Sequence, residues 1–175
     1  PIGSTAGAVP TDGDREASLY RRAILEENFS DLRSRHDAFE SAARAGEIHV
    51  TTPAGTDIRF RIGERPINRQ DGDVSGARAA AGVILVDREI EFPAGGVRVA
   101  PIEASVHGIV VFPRSTWNGE GVDDLRFVFE AGTIVSLTAA ANLESVEIEL
   151  AADGARAFRE FGLGFNPLLA VPAEN

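Results

Sequence analysis

Glu103, Ser105 and His107 stand at alternate positions of Glu103-Ala104-Ser105-Val106-His107. In an extended segment their side chains would share one face. A Ser–His pair suggests nucleophilic hydrolysis, and a Glu–His pair suggests metal ligation. Serine hydrolysis needs a third, orienting acid. No Gly-x-Ser-x-Gly elbow is present, and the pair has no evident third member. A metal site needs about three protein ligands, and Glu103, His107 and Glu160 are the best trio on offer. Glu103 and His107 are four residues apart, so they would lie roughly 13 Å apart in a straight strand. Only a bend brings both to one ion.

The remaining candidates read mainly as structural. His36 falls on an apolar helical stripe, where a packed, hydrogen-bonded histidine is expected. His49 lies within a strand, and Asp57 follows a turn that its carboxylate is expected to brace. Asp71-Gly72-Asp73 puts two carboxylates beside a glycine, but it lacks the spacing of a calcium loop and reads as a solvated loop. Trp117, the only tryptophan, opens Trp117-Asn118-Gly119-Glu120-Gly121, read as a loop. It is either an exposed aromatic anchor for a ligand or a plug at the edge of the core.

The elements that must position these residues begin with a tail, Pro1–Gly13, rich in Gly, Pro, Thr and Ser. Leu25, Phe29, Leu32, His36, Phe39 and Ala43 recur at spacings of four and three, which predicts one long helix over Asp14–Ala45 ending at Gly46. From Glu47 the period falls to two. Short strands are expected at Ile48–Thr52, Asp57–Ile62, Pro66–Arg69, Val83–Val86, Ile90–Phe92, Val97–Val99 and Val106–Phe112, with a hairpin at Leu125–Glu130 and Thr133–Thr138. Val146, Ile148 and Leu150 alternate with Glu and read as a strand on pattern alone. A short helix is expected over Asp153–Phe161. The class is α+β: a long N-terminal helix on a mostly antiparallel, barrel-like or strongly curved sheet, with a short late helix. The expected division is a flexible arm, 1–13, and a single domain, 14–175.

Three segments carry a resemblance. They are Val50-Thr51-Thr52-Pro53-Ala54-Gly55-Thr56-Asp57, Phe92–Val111 with its Pro93-Ala94-Gly95 and Ala100-Pro101, and Glu160-Phe161-Gly162-Leu163-Gly164-Phe165-Asn166-Pro167. In order and spacing they resemble segments of the aminopeptidase T class of metallopeptidases and the related 2,5-dihydroxypyridine dioxygenases. The resemblance covers about residues 20–170. It implies a metal-ligating Glu where this chain has Gly96, and it carries Glu160 over as a second ligand. It also implies helix rather than strand near Val146. The His/Tyr/His/Asp-bearing half that follows in the family has no counterpart before Asn175.

Composition narrows the function classes. The chain has no cysteine and no lysine, so thiolate, disulfide, Schiff-base and P-loop lysine chemistry are excluded. Cysteine absence fits a cytoplasmic protein. A net charge of −10 argues against nucleic acid as partner, and no run is long enough for a membrane span. With one ligand replaced by glycine, a peptide-binding groove without catalysis is expected, and no cofactor. In this it is similar to the small peptide-binding proteins of crocagin-type ribosomal peptide (RiPP) pathways. That likeness implies a precursor peptide as partner and a separate modifying enzyme. The expected peptide-binding residues are Arg98, Glu103, His107 and Trp117, with Arg59 and Arg61 as carboxylate or backbone partners. The alternative is a subunit or fragment of a metal-dependent aminopeptidase or dioxygenase. A third reading is a homodimer built on the Asp14–Ala45 helix.

Overall fold

The computed structural model describes residues 13–82 and 89–169. The arm expected at 1–13, apart from Gly13, and the strand expected at Val83–Val86 lie outside them. The chain divides into two compact units. Of the described residues, one comprises 43–65 and 100–159; the other comprises 13–42, 66–82, 89–99 and 160–169. Both are built on antiparallel sheet, and the class is α+β as expected. No closed barrel forms among the described residues.

The first unit holds a five-stranded sheet in the order β1-β2-β5-β6-β7. Its strands are β1 (Ile48–Thr51), β2 (Asp57–Phe60), β5 (His107–Trp117), β6 (Glu120–Glu130) and β7 (Thr133–Thr138). β1 and β2 form a hairpin whose turn is closed by Thr52 N–H donating to the Thr56 carbonyl at 3.1 Å and by Thr56 N–H donating to Thr52 Oγ1 at 3.3 Å. The expected brace, Asp57, instead takes a hydrogen bond with His49 Nε2 at 2.8 Å across the strands. β5 and β6 are joined by Asn118-Gly119, and β6 and β7 by Ala131-Gly132. The stretch read as a loop from Trp117 is therefore a two-residue hairpin turn, the commonest use of Asn-Gly. Ile58, Phe60, Val111, Trp117, Val122, Leu125, Phe127, Phe129 and Ile134 are buried. The register shifts between Val128, which pairs with Ser136, and Phe129, which pairs with Ile134.

Val146 is fully buried on a helix, Leu143–Glu149, so the pattern that alternates like a strand is helical. The resemblance, which implied helix here, had the better reading. Residues 151–156 form turns rather than the helix expected from Asp153.

The second unit starts from helices α1 (Gly13–Leu25) and α2 (Phe29–Ala45), the latter running to the unit's limit at residue 42. The single long helix of the sequence reading is broken here. Asn28 caps α2, its Oδ1 accepting from Ser30 N–H at 3.1 Å and Asp31 N–H at 3.3 Å. Leu25, at the end of α1, is consequently exposed, while Leu32 and His36 stay fully buried. The three-stranded sheet has the order β3-β4-β8, from β3 (Ile67–Arg69), β4 (Gly96–Val99) and β8 (Phe161–Gly164). Val97 and Val99 are buried, while Arg98, Gly162 and Gly164 are exposed on the alternate positions. A third helix, α3 (Gly76–Ala81), is capped by Ser75 Oγ. Among the described residues no helix is long and apolar enough to cross a membrane.

Candidate functional site

Two of the three motif segments are side by side. β4 carries the residues after Pro93-Ala94-Gly95, and β8 begins after Glu160; Gly96 pairs with Gly164, and Arg98 pairs with Gly162. Asn166 locks the two. Its Nδ2 donates to the Ala94 carbonyl at 2.9 Å and the Ala23 carbonyl at 3.1 Å, and its Oδ1 accepts from Leu168 N–H at 3.0 Å. Phe165 N–H donates to the Gly95 carbonyl at 2.8 Å, and Gly95 N–H to the Gln70 carbonyl. Gly95 has φ +134°, and a Cβ there would stand 2.6 Å from Asn166 Cβ. Only glycine allows that approach.

The buried side chains beneath this lock are polar and mostly satisfied. Gln70 Nε2 donates to Asn68 Oδ1 at 2.7 Å, and its Oε1 accepts from Glu91 N–H at 2.8 Å. Asp71, read from sequence as solvated, is buried and pairs with Arg78 Nη1 at 2.8 Å, while Arg78 Nη2 donates to the Arg69 carbonyl at 2.6 Å. It is drawn inward by that guanidinium, and its Oδ1 also accepts from Asp73 N–H. His36 is the core histidine expected. It lies edge-on to Phe165 at 5.0 Å, with Nε2 3.4 Å from the Gly95 carbonyl. Burial pushes its pKa below the ordinary value, and the contact with Gly95 partly offsets this.

The exposed face of β4 and β8 carries charge. Arg98 grips Glu91 with two nitrogens, Nη1 to Oε1 at 2.6 Å and Nη2 to Oε2 at 2.8 Å. Its Nε lies 4.0 Å from Glu160 Oε1. This is the only one of the six expected peptide-binding residues in the second unit.

The other five are in the first unit. Arg59 and His107 are cross-strand partners on β2 and β5. Arg59 also reaches Glu47 at 3.5 Å, and His107 Nδ1 accepts weakly from Ala131 N–H. Arg61 is adjacent and exposed, its backbone N–H donating to Ser105 Oγ at 2.9 Å. Glu103 pairs with Arg65 at 2.8 Å. Trp117, at the far end of β5, is 5% exposed; it packs edge-on to Phe127 at 5.7 Å and its Nε1–H donates to Ser115 Oγ. It is a core plug, not an exposed anchor.

The two chemical groupings suggested by spacing do not form. Glu103–Ser105 is one turn of 3-10 helix, so Ser105 and His107 do not share a strand face, and Ser105 Oγ is engaged with the Arg61 backbone and the Ile102 carbonyl. Glu103 and His107 belong to one unit and Glu160 to the other. Among the described residues no three His, Asp or Glu side chains converge as metal ligands. Gly96 offers no donor, and the Arg98 guanidinium stands 4.0 Å from Glu160. These residues by themselves do not fit a metal ion. Asn166 and Glu91 are the site residues that spacing missed. Asn166 sat in a quoted motif without a role, and nothing local marks Glu91.

The model of the family described as "Thermophilic metalloprotease (M29)" matches residues 25–168. The solved structure of wild-type AmpT from Thermus thermophilus aligns with a TM-score of 0.61 at 22% identity, over 86% of this chain and 37% of that one. At that identity the likeness shows the fold, and the chain spans little more than a third of AmpT's length. No curated protein matches. The family match overturns the expectation that the chain is not an enzyme, because the family is one of proteases. That expectation rested on the family's metal ligands being replaced at Gly96 or lacking a counterpart in this chain. On the match over residues 25–168, the chain belongs to the M29 thermophilic metalloprotease family.

Proposed function

We propose that this chain is part of a metal-dependent aminopeptidase, engaging the peptide through the β4–β8 sheet and contributing Glu160 to the hydrolytic centre. The observation that carries this is the family match over residues 25–168, whose two motif segments lie on adjacent strands. Among the described residues β8 is an edge strand of its sheet, and its residues Gly162, Leu163 and Gly164 are exposed. An extended peptide can add to such an edge through backbone hydrogen bonds. Gly162 and Gly164 place no side chain in its way. The remaining ligands of the centre would come from outside the described residues. In the narrower form of this reading, the peptide is the precursor of a ribosomal peptide pathway.

The test is release of N-terminal residues from a panel of short peptides, with zinc or cobalt(II) supplied. Ion-dependent release that is lost in Glu160→Gln supports the proposal. A folded chain that neither releases residues from any of the peptides nor binds one in calorimetry overturns it.

A further inference from the structure

We infer that the Arg98 guanidinium is the resident cation of the β4–β8 face and competes with a divalent ion for the Glu160 carboxylate. The family implies a metal, yet the residues on this face do not fit one, and the geometry shows what stands there instead. Arg98 is held by a bidentate grip on Glu91, at 2.6 and 2.8 Å, which fixes the plane of the guanidinium. Its remaining nitrogen, Nε, is then turned toward Glu160 at 4.0 Å. One permanent positive charge thus lies between two carboxylates.

The paired strands put no side chain at that position. Gly162 is the cross-strand partner of Arg98, and Gly164 is that of Gly96, so neither puts a side chain between Arg98 and Glu160. The absence of a side chain at Gly96 is not imposed by packing either. A Cβ there would meet Gln70 at 3.9 Å, an ordinary contact, and the backbone does not have positive φ. Position 96 therefore tolerates a Cβ, yet it carries none, and an arginine stands two residues on. An ion bound through Glu160 would feel the charge of Arg98 within several ångströms. In a half-exposed setting, repulsion of a divalent ion at that distance is worth about tenfold in affinity.

Cobalt(II) binding to the folded chain, followed by calorimetry and by visible absorption, tests this independently of peptide hydrolysis. Arg98→Gln should tighten cobalt(II) binding by about tenfold or more. Arg98→Lys, which keeps the charge, should leave it weak. Adding Gly96→Glu to Arg98→Gln should tighten it further, and adding Glu160→Gln should remove the gain. Equal affinities for wild type and Arg98→Gln overturn the inference. So does a gain that survives Glu160→Gln, or an equal gain in Arg98→Lys. Circular dichroism of each variant establishes that it is folded. Should Arg98→Gln not fold, Arg98→Met replaces it with the same expected direction.

Discussion

The five-stranded sheet is built from hairpins joined by one long-range pair, β2–β5, and the three-stranded sheet is held by polar side chains that reach distant backbone. In the first, β1–β2, β5–β6 and β6–β7 are each consecutive strands joined by short turns. Their inward faces are closed by aromatic packing, with Phe127 touching Phe112, Trp117 and Phe129 edge-on. In the second, β3, β4 and β8 come from residues 67–69, 96–99 and 161–164. There Asn166 ties Ala94 to Ala23, and Gln70 ties Asn68 to Glu91. Local turns need little help to find their register. Strands separated by many residues gain specificity from buried hydrogen bonds, because leaving one unmade is costly.

That contrast can be broken by substitution. Phe127→Ala should have the largest effect, a loss of about 3–5 kcal/mol, because it empties the centre of an aromatic cluster. Hydrogen exchange should show lost protection in β5, β6 and β7 first. If β4 and β8 lose protection equally, the two sheets are not separable in the way described. Asn166→Ala comes next, at about 2–3 kcal/mol, since it leaves the Ala94 and Ala23 carbonyls without their donor. Here protection should fall in β4 and β8 and persist in β6. Asn166→Asp should recover little, because a carboxylate cannot donate to those carbonyls.

The smallest effect is one of pH. His36 is buried with its pKa below the ordinary value, so in the unfolded chain it takes up a proton that the folded chain refuses. Stability from this residue is present above about pH 6.5 and falls as pH drops below it, at no more than about 1.4 kcal/mol per pH unit. His36→Leu should flatten the denaturation midpoint between about pH 6.5 and 5. An unchanged slope would show that other groups carry the acid sensitivity.

Much of the first unit was legible. Alternation placed β2, β6 and β7, because a half-buried strand must repeat every second residue. The helical stripe from Phe29 to Ala43 was correct, but the break at Asn28 was hidden, since Leu25 continues the spacing that the cap interrupts. Val146 misled for a related reason: in a single turn of helix, a few apolar residues can mimic strand alternation. The candidate site was legible only as motifs. Pro93-Ala94-Gly95 and Asn166-Pro167 could be singled out in the chain, but their meeting through one amide could not.

What the chain determined by itself is its local geometry and its stock of chemistry. Asn118-Gly119 makes a hairpin turn, Asn28 starts a helix, and a chain with neither lysine nor cysteine forgoes amine and thiolate catalysis. These follow from backbone preference and functional groups, which act within a few residues. Tertiary structure alone decided that Arg98 faces Glu91 and Glu160, that Asp71 is buried against Arg78, and that Trp117 is a core residue. Each depends on which distant residues share a sheet face or a buried pocket. That is set by the packing of whole elements, and no short stretch of sequence encodes it.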